Sequence, residues 1–315
     1  MDVELILKEL AENGHAAIPT FLKKETFDPV SKSALQILAN PVSHTALKNR
    51  GSEVSYYHVP AHVSPIKKVQ GSFLGKDPVL DQFAKELFEN ADFLNLLHRV
   101  VGKTFKINTF SLRQASSLSQ LDGLHQDGRG QVSIAILLND TTPSMPTTFF
   151  VPKSHRFSYD IGDSTEPLPF SLYKPFIVPC TGKGGDVCVF FNKTWHGMQP
   201  GNDTSTALLI AFDPAGFEHA PKVLPDTTEY GAPFKLAIGE KLHSYLAGNE
   251  GLVKKGDVYC VAGDPHENER LVDYCLEHPQ INIRGRFLSF YMWNLSKMYR
   301  SARFIKRCLV KKSAS

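Results

Sequence analysis

Between residues 105 and 212 the sequence falls into short apolar runs interrupted by Gly, Pro, Asn and Asp, a punctuation that suits strands joined by turns rather than long helices. In one run Val132, Ile134, Ile136 and Leu138 alternate with Ser133, Ala135, Leu137 and Asn139, the period of two expected of a strand beside a core. Comparable runs occupy 147–151, 176–178, 186–191 and 207–212, and a further strand is expected over 105–114. Strands at this spacing predict a sandwich or barrel, for which a double-sheet jelly roll is the natural closure. A chain of 315 residues accommodates one such core of about 200 residues with an appendage. With 42% hydrophobic and 21% charged residues, it is not collagen-like, coiled-coil or wholly disordered.

Helices are expected on the flanks. Val3, Ile6, Leu7 and Leu10 recur at helical spacing, Asn13-Gly14 stops that helix, and Ala16-Ala17-Ile18 reads as the strand that follows. Further helices are predicted over 26–38 and 78–97, the second with Leu80, Phe83, Leu87, Phe88 and Phe93 on or near one face. After Pro214 the strand rhythm fades: 222–264 reads as an irregular excursion, 267–277 as a helix and 287–310 as a longer one. The expected architecture is mainly β with flanking helices, a jelly-roll domain over 1–215 and an extension over 216–315 that ends in a basic amphipathic helix.

The formal net charge of +3 hides an asymmetry. Residues 281–315 hold nine Lys or Arg and no acidic residue, which leaves 26 basic against 32 acidic residues, a net −6, elsewhere. A basic tail on an acidic body argues against a general nucleic-acid-binding protein, and no nucleic acid partner is expected. Five cysteines without C-x-x-C spacing indicate neither a disulfide framework nor a zinc knuckle, and favour a reducing compartment. The first residues are acidic where a signal peptide is basic, and no 18-residue apolar run occurs, so a cytosolic placement is expected, with peripheral membrane contact left open.

The chemistry is concentrated in Leu124-His125-Gln126-Asp127-Gly128 and, 71 residues after His125, in Trp195-His196-Gly197. Residues two apart on a strand share a face, so His125 and Asp127 point the same way and a distant His196 completes two imidazoles and one carboxylate. Such a facial set suits non-haem iron(II), because three ligands on one side of an octahedron leave three positions open for a bidentate co-substrate and dioxygen.

Four segments extend this reading: 13–22 (Asn-Gly-His-Ala-Ala-Ile-Pro-Thr-Phe-Leu), the Leu-His-Gln-Asp-Gly word, 150–156 (Phe-Val-Pro-Lys-Ser-His-Arg), and 185–191 (Gly-Asp-Val-Cys-Val-Phe-Phe) leading into Trp195-His196-Gly197. In order and spacing they resemble the phytanoyl-CoA dioxygenase family of iron(II)/2-oxoglutarate oxygenases over residues 1–215. The resemblance implies a cupin-like double-stranded β-helix, iron(II) held by His125, Asp127 and His196, and 2-oxoglutarate and dioxygen as co-substrates. It also implies hydroxylation of a small molecule or of a lipid- or carrier-linked one. Asp127 matters here, since related halogenating enzymes carry Gly or Ala at that place. The family's Val-Pro-Gly-Ser-His appears as Val-Pro-Lys-Ser-His, with Lys153 in place of glycine and His155 read as a turn residue.

A buried co-substrate carboxylate needs a cation. The family's Arg, about ten residues beyond the last His, has no counterpart in 201–208, and Met198 stands where Ser is frequent. By resemblance, Lys68 in Lys67-Lys68-Val69-Gln70 can supply the charge and Gln126 neighbours the co-substrate. Arg113 is a second candidate cation if its side chain turns inward, and Ser205 and Thr206 offer hydrogen bonds without charge. Trp195, next to His196, is expected on the opposite face.

Residues 287–312 interleave Phe287, Phe290, Tyr291, Trp293, Tyr299, Phe304, Ile305 and Leu309 with basic residues. Such a helix can attract anionic lipid, mediate self-association or dock on the jelly roll. Beside the leading reading, an iron(II)/2-oxoglutarate hydroxylase, stand a catalytically inactive metal-binding adaptor acting through this tail and an iron oxygenase that does not use 2-oxoglutarate.

Overall fold

Asp2 opens the first helix, α1 (Val3–Asn13), by accepting a hydrogen bond from the Leu5 amide at 3.1 Å. Gly14 closes it at φ +79°, and the chain passes directly into strand β1 (His15–Ile18), as the sequence predicts. This computed structural model describes residues 1–39, 56–57, 67–70, 77–116, 124–128, 130–157, 170–219, 242, 244–245, 252–255, 258–264, 270–277 and helical positions between 286 and 302.

Helix α2 (Lys24–Ala39) follows. The single helix expected over 78–97 is two, α3 (Pro78–Glu89) and α4 (Ala91–Val101). Asn90 leaves the helical backbone at φ −68°, ψ 116°, and its side chain caps α4 by accepting from the Phe93 amide at 2.9 Å. The apolar stripe continues through the break, with Leu80, Phe83, Leu87, Phe88 and Phe93 all buried.

The remaining strands of the jelly roll are β2 (Tyr56–Tyr57), β3 (Lys67–Gln70), β4 (Phe105–Ser116), β5 (Val132–Leu137), β6 (Thr148–Phe150), β7 (Val178–Pro179), β8 (Val187–Phe191), β9 (His196–Met198) and β10 (Thr204–Pro214). They form a seven-stranded antiparallel sheet in the order β1-β8-β5-β10-β4-β3-β2 and a small antiparallel sheet β7-β6-β9.

Alternation divides the large sheet into two faces. Leu112, Ile134, Ile136, Val189, Leu208 and Ile210 pack with α1 to α4 in the principal core, each Leu or Ile buried there contributing about 1.5–3 kcal/mol. The opposite face is lined by Leu137, Cys188 and Phe190, which meet Phe150 of the small sheet. The outer face of the small sheet has its own cluster of Leu124, Phe149, Val151, Phe157, Tyr173 and Trp195, the tyrosine supplied by the short helix α5 (Phe170–Tyr173). The architecture is thus the expected β-rich jelly roll with flanking helices.

The extension differs from the irregular excursion expected over 222–264. Strands β11 (Glu218–His219), β12 (Leu252–Lys255) and β13 (Val258–Val261) form an antiparallel sheet ordered β11-β13-β12. Much of the rest of 220–251 lies outside the described residues. Helix α6 (Leu271–Glu277) occupies most of the helix expected over 267–277, whose start lies outside the described residues. Val272 and Cys275 of α6, with Leu242, join the core beneath the large sheet.

The described positions of the expected C-terminal helix are helical as far as 302, and its continuation to 310 lies outside the described residues, as do the side chains of Trp293, Tyr299, Phe304, Ile305 and Leu309. Leu295 packs against the outer cluster of the small sheet, and Tyr291 meets Phe176 with ring centroids 6.0 Å apart. Phe287, Phe290 and Met298 remain 70%, 56% and 68% exposed. No described helix is long and apolar enough to cross a membrane.

Candidate metal centre

His125 and His196 meet in an isolated antiparallel bridge that adds the His125 segment to the edge of the small sheet. Asp127 is tied to the loop before β9, its amide donating to the Asn192 carbonyl at 3.0 Å. Alternation then separates the side chains. Leu124 enters the outer cluster and the Gln126 side-chain Nε2 donates to the Lys193 carbonyl at 2.8 Å, while His125 and Asp127 turn to the His196 side.

The ligand atoms of His125, Asp127 and His196 all lie within 4.8 Å of one another. Asp127 Oδ2 is 3.3 Å from His196 Nε2, and Oδ1 is 3.8 Å from His125 Nε2. His196 is 7% exposed, His125 21% and Asp127 43%, so the cluster is anchored on the buried histidine and opens through the carboxylate.

The Nδ1 of His196 lies 2.7 Å from the Thr194 carbonyl oxygen. A carbonyl only accepts, so Nδ1 carries the hydrogen and a neutral ring presents a lone pair at Nε2. That lone pair faces a carboxylate oxygen, and two acceptors at 3.3 Å require a positive charge between them, either a proton or a metal ion. Burial works to raise the Asp127 pKa, but the hydrogen bond and charge of His196, with the charges of His125 and Arg113, prevail and hold it at about 2. The carboxylate is therefore ionised at neutral pH. A directed imidazole nitrogen, a second imidazole and an ionised carboxylate fit a divalent transition metal.

Two aromatic rings floor the cluster. Phe190 lies 5.4 Å from the His196 ring and 5.0 Å from Phe150, on which His15 stacks at 4.7 Å.

The other expected site residues are distributed unevenly. Arg113 lies on the inner face of β4, where its Nε donates to Ser111 Oγ at 3.3 Å, and its charge reaches Asp127. Lys68 is the register partner of Arg113 across β3 and β4, with its side chain outside the described residues. Thr206 shares the helix-side parity of Leu208 and Ile210, and its hydroxyl accepts from Gln114 at 3.4 Å; the fold does not bring it to the cluster. Trp195 is fully buried in the outer cluster, edge-on to Phe157 at 5.2 Å, on the side away from His196 as its position predicts.

Sequence reasoning missed a buried support. Gln131 donates to the Asp213 carboxylate, its own carbonyl accepts from the Gly128 amide at 3.1 Å and from Asn192 at 3.5 Å, and Asn192 accepts from Ser133 at 2.7 Å. This network joins the segment after Asp127 and the segment before His196 to β5 and β10. Apart from the Gly128–Gln131 bond, its partners lie 59 to 82 residues apart, so no local spacing announces it.

Neither a protein-family model nor a curated protein matches the sequence. Solved structures do. The epimerase SnoN in complex with Fe3+, alpha ketoglutarate and nogalamycin RO is similar with a TM-score of 0.53 at 14% identity, over 84% of this chain and 96% of that one. EctD from S. alaskensis with bound Fe is similar with a TM-score of 0.52 at 19% identity, over 66% of this chain and 75% of that one. The non-heme alpha ketoglutarate dependent carbocyclase SnoK from nogalamycin biosynthesis gives 0.51 at 13%, over 68% and 84%. At these identities the likeness establishes the fold.

Proposed function

We propose that the chain is an iron(II)- and 2-oxoglutarate-dependent oxygenase of the phytanoyl-CoA dioxygenase type that hydroxylates a small-molecule or lipid- or carrier-linked substrate. The observation that carries this reading is the convergence of His125, Asp127 and His196, within 4.8 Å, at one edge of a jelly roll. The structural neighbours, named for Fe and alpha ketoglutarate, support it.

The three side chains would hold the metal. Thr194 orients His196 through Nδ1, leaving Nε2 as the donor atom, and the ionised Asp127 contributes negative charge without first losing a proton. Phe150 and Phe190 shield the inner side of the cluster from water. Iron at this site would supply the dioxygen chemistry, in which R–H, dioxygen and 2-oxoglutarate give R–OH, succinate and carbon dioxide.

A second reading, an iron oxygenase independent of 2-oxoglutarate, is favoured by Ala207, which stands in the region where a basic residue is expected. Succinate separates the two. Iron-loaded protein in air should convert 2-oxoglutarate to succinate and carbon dioxide in equal amounts, and its anaerobic mixture with 2-oxoglutarate should show a weak visible charge-transfer band. Iron binding with neither signal would remove the 2-oxoglutarate assignment.

A further inference from the structure

Where β10 ends, the chain turns through Pro214, Ala215 and Gly216 to Phe217, with Gly216 at φ +79° and the Phe217 amide donating to the Pro214 carbonyl at 3.0 Å. This turn lies along the segment that follows Asp127, and three contacts join the two in succession. Gln131 donates to the Asp213 carboxylate. Pro214 Cγ stands 3.6 Å from the place a Cβ would take on Gly130. The ring of Phe217 reaches Gly128, where a Cβ would stand 2.7 Å from its Cζ and 2.9 Å from its Cε2. Gly128 follows Asp127 directly and is not left-handed, so space rather than backbone conformation excludes a side chain there.

The turn is fixed mainly from the extension. The Gly216 amide donates to the Val261 carbonyl at 2.9 Å and the Val261 amide to the Phe217 carbonyl at 3.1 Å, which ties the backbone of Phe217 to β13. The buried Arg270 guanidinium donates to the Ala215 carbonyl at 2.8 Å, and the Ala215 amide donates to the Thr104 carbonyl at 3.0 Å. The turn moves only by breaking these bonds, so the ring is a fixed wall against Gly128. On its other side the segment is held by the bond from the Asp127 amide to the Asn192 carbonyl. Asp127 is the most exposed of the three cluster residues, and it lacks the enclosure that fixes His196. Its place therefore depends on how its backbone is clamped.

We propose that Phe217 is a positioning residue of the metal centre: through this ring on Gly128, the extension holds the Asp127 carboxylate where the two imidazoles converge. This rests on the metal site of the oxygenase reading above and assigns part of that site to residues beyond the jelly roll.

Calorimetric titration with manganese(II) in place of iron tests it without turnover. Phe217 is half-buried, so Phe217→Ala should keep the wild-type circular dichroism spectrum while binding manganese(II) about 10-fold more weakly, at the lower end of the effect expected for a residue that supports a metal ligand. Phe217→Leu keeps apolar bulk beside Gly128 and should recover most of the affinity. Leu38→Ala, in the helix-side core, should lower the unfolding temperature and leave the affinity unchanged, which separates positioning from a general loss of stability. Gly128→Ala should also weaken the metal. Its added methyl meets the same ring, so Gly128→Ala with Phe217→Ala should lose less than the product of the two single losses. Wild-type affinity in Phe217→Ala, an equal loss in Leu38→Ala, or losses at 128 and 217 that simply multiply would overturn the assignment. Wild-type protein that binds no manganese(II) or iron(II) would instead refute the metal centre itself.

Discussion

His125 and His196, 71 residues apart, exchange both backbone hydrogen bonds of one antiparallel pair, His125 N to His196 O at 2.9 Å and His196 N to His125 O at 3.0 Å. The two imidazoles are therefore positioned by the same short ladder, with ring centroids 4.4 Å apart, and Asp127 joins them by being two residues beyond His125. The backbone builds this arrangement before any side chain is considered.

His125→Ala, Asp127→Ala and His196→Ala should each lower iron(II) or manganese(II) affinity by more than the about 10- to 100-fold that loss of an outer-sphere partner costs. The ladder uses main-chain atoms, so the variants should keep the wild-type circular dichroism spectrum. Metal analysis after gel filtration checks the first expectation. Full occupancy in all three variants would remove the site.

Lys153 sits at φ +68°, ψ 0°, the left-handed region that glycine adopts without strain. A lysine side chain disfavours that backbone. The Lys153 amide donates to the Asn13 carbonyl at 2.9 Å, and the next residue, Ser154, accepts from the Trp195 amide at 2.7 Å, so the turn joins α1 to the segment bearing His196. Lys153→Gly should relieve about 1–2 kcal/mol of strain and lose part of it to unfolded-chain entropy, a net gain of about 0.5–1 kcal/mol in urea unfolding. A loss of stability would show that the lysine side chain itself is needed.

His155, in the same turn, is 1% exposed, and burial drives its pKa down to about 3 despite an Nε2 contact with the Ala11 carbonyl at 3.2 Å. The depressed value means the folded protein excludes a proton that the unfolded chain binds near pH 6.5. Stability from this residue is complete above that pH and falls as pH drops through the window toward 3, by about 1.4 kcal/mol per pH unit. His155→Gln retains a donor toward Ala11 without titrating. Between about pH 7 and pH 5 it should lose about 2 kcal/mol less stability than wild type, measured by urea unfolding. Parallel pH profiles would contradict this account.

Local patterns made the jelly roll and the His-Asp-His cluster legible. The period-two run through Val132, Ile134 and Ile136 states its own buried face, and the His-x-Asp spacing places two side chains together on any strand. The break at Asn90 was hidden because Leu87, Phe88 and Phe93 keep one apolar stripe across it, although Asn three residues before Phe93 is a capping signal. The β12–β13 pair was obscured by Lys254, Lys255 and short length, yet Gly256-Asp257 between the strands is a two-residue hairpin signal. The inward aim of Arg113 depends on strand register, and the Gln131–Asp213–Asn192 network on contacts between distant segments. No single run of sequence contains either.

The basic C-terminal stretch gives a test in which salt discriminates. Leu295 covers the cluster containing Phe149 and Trp195, and Tyr291 covers Phe176, so removing residues 287–315 should expose apolar surface on the small sheet. Truncation should lower the unfolding temperature and promote aggregation while one metal still binds per chain, because the proposed ligands lie between 125 and 196. Apolar docking is insensitive to ionic strength, so the drop in unfolding temperature should be similar at about 0.05 M and about 0.5 M salt. Attraction of the seven basic residues of 287–315 to an anionic surface behaves oppositely, fading as the Debye length shrinks below about 10 Å. A truncated protein as stable as the intact one, together with intact protein that sediments with anionic vesicles only at low salt, would transfer Phe287, Phe290 and Met298 from a docked helix to a lipid-facing one.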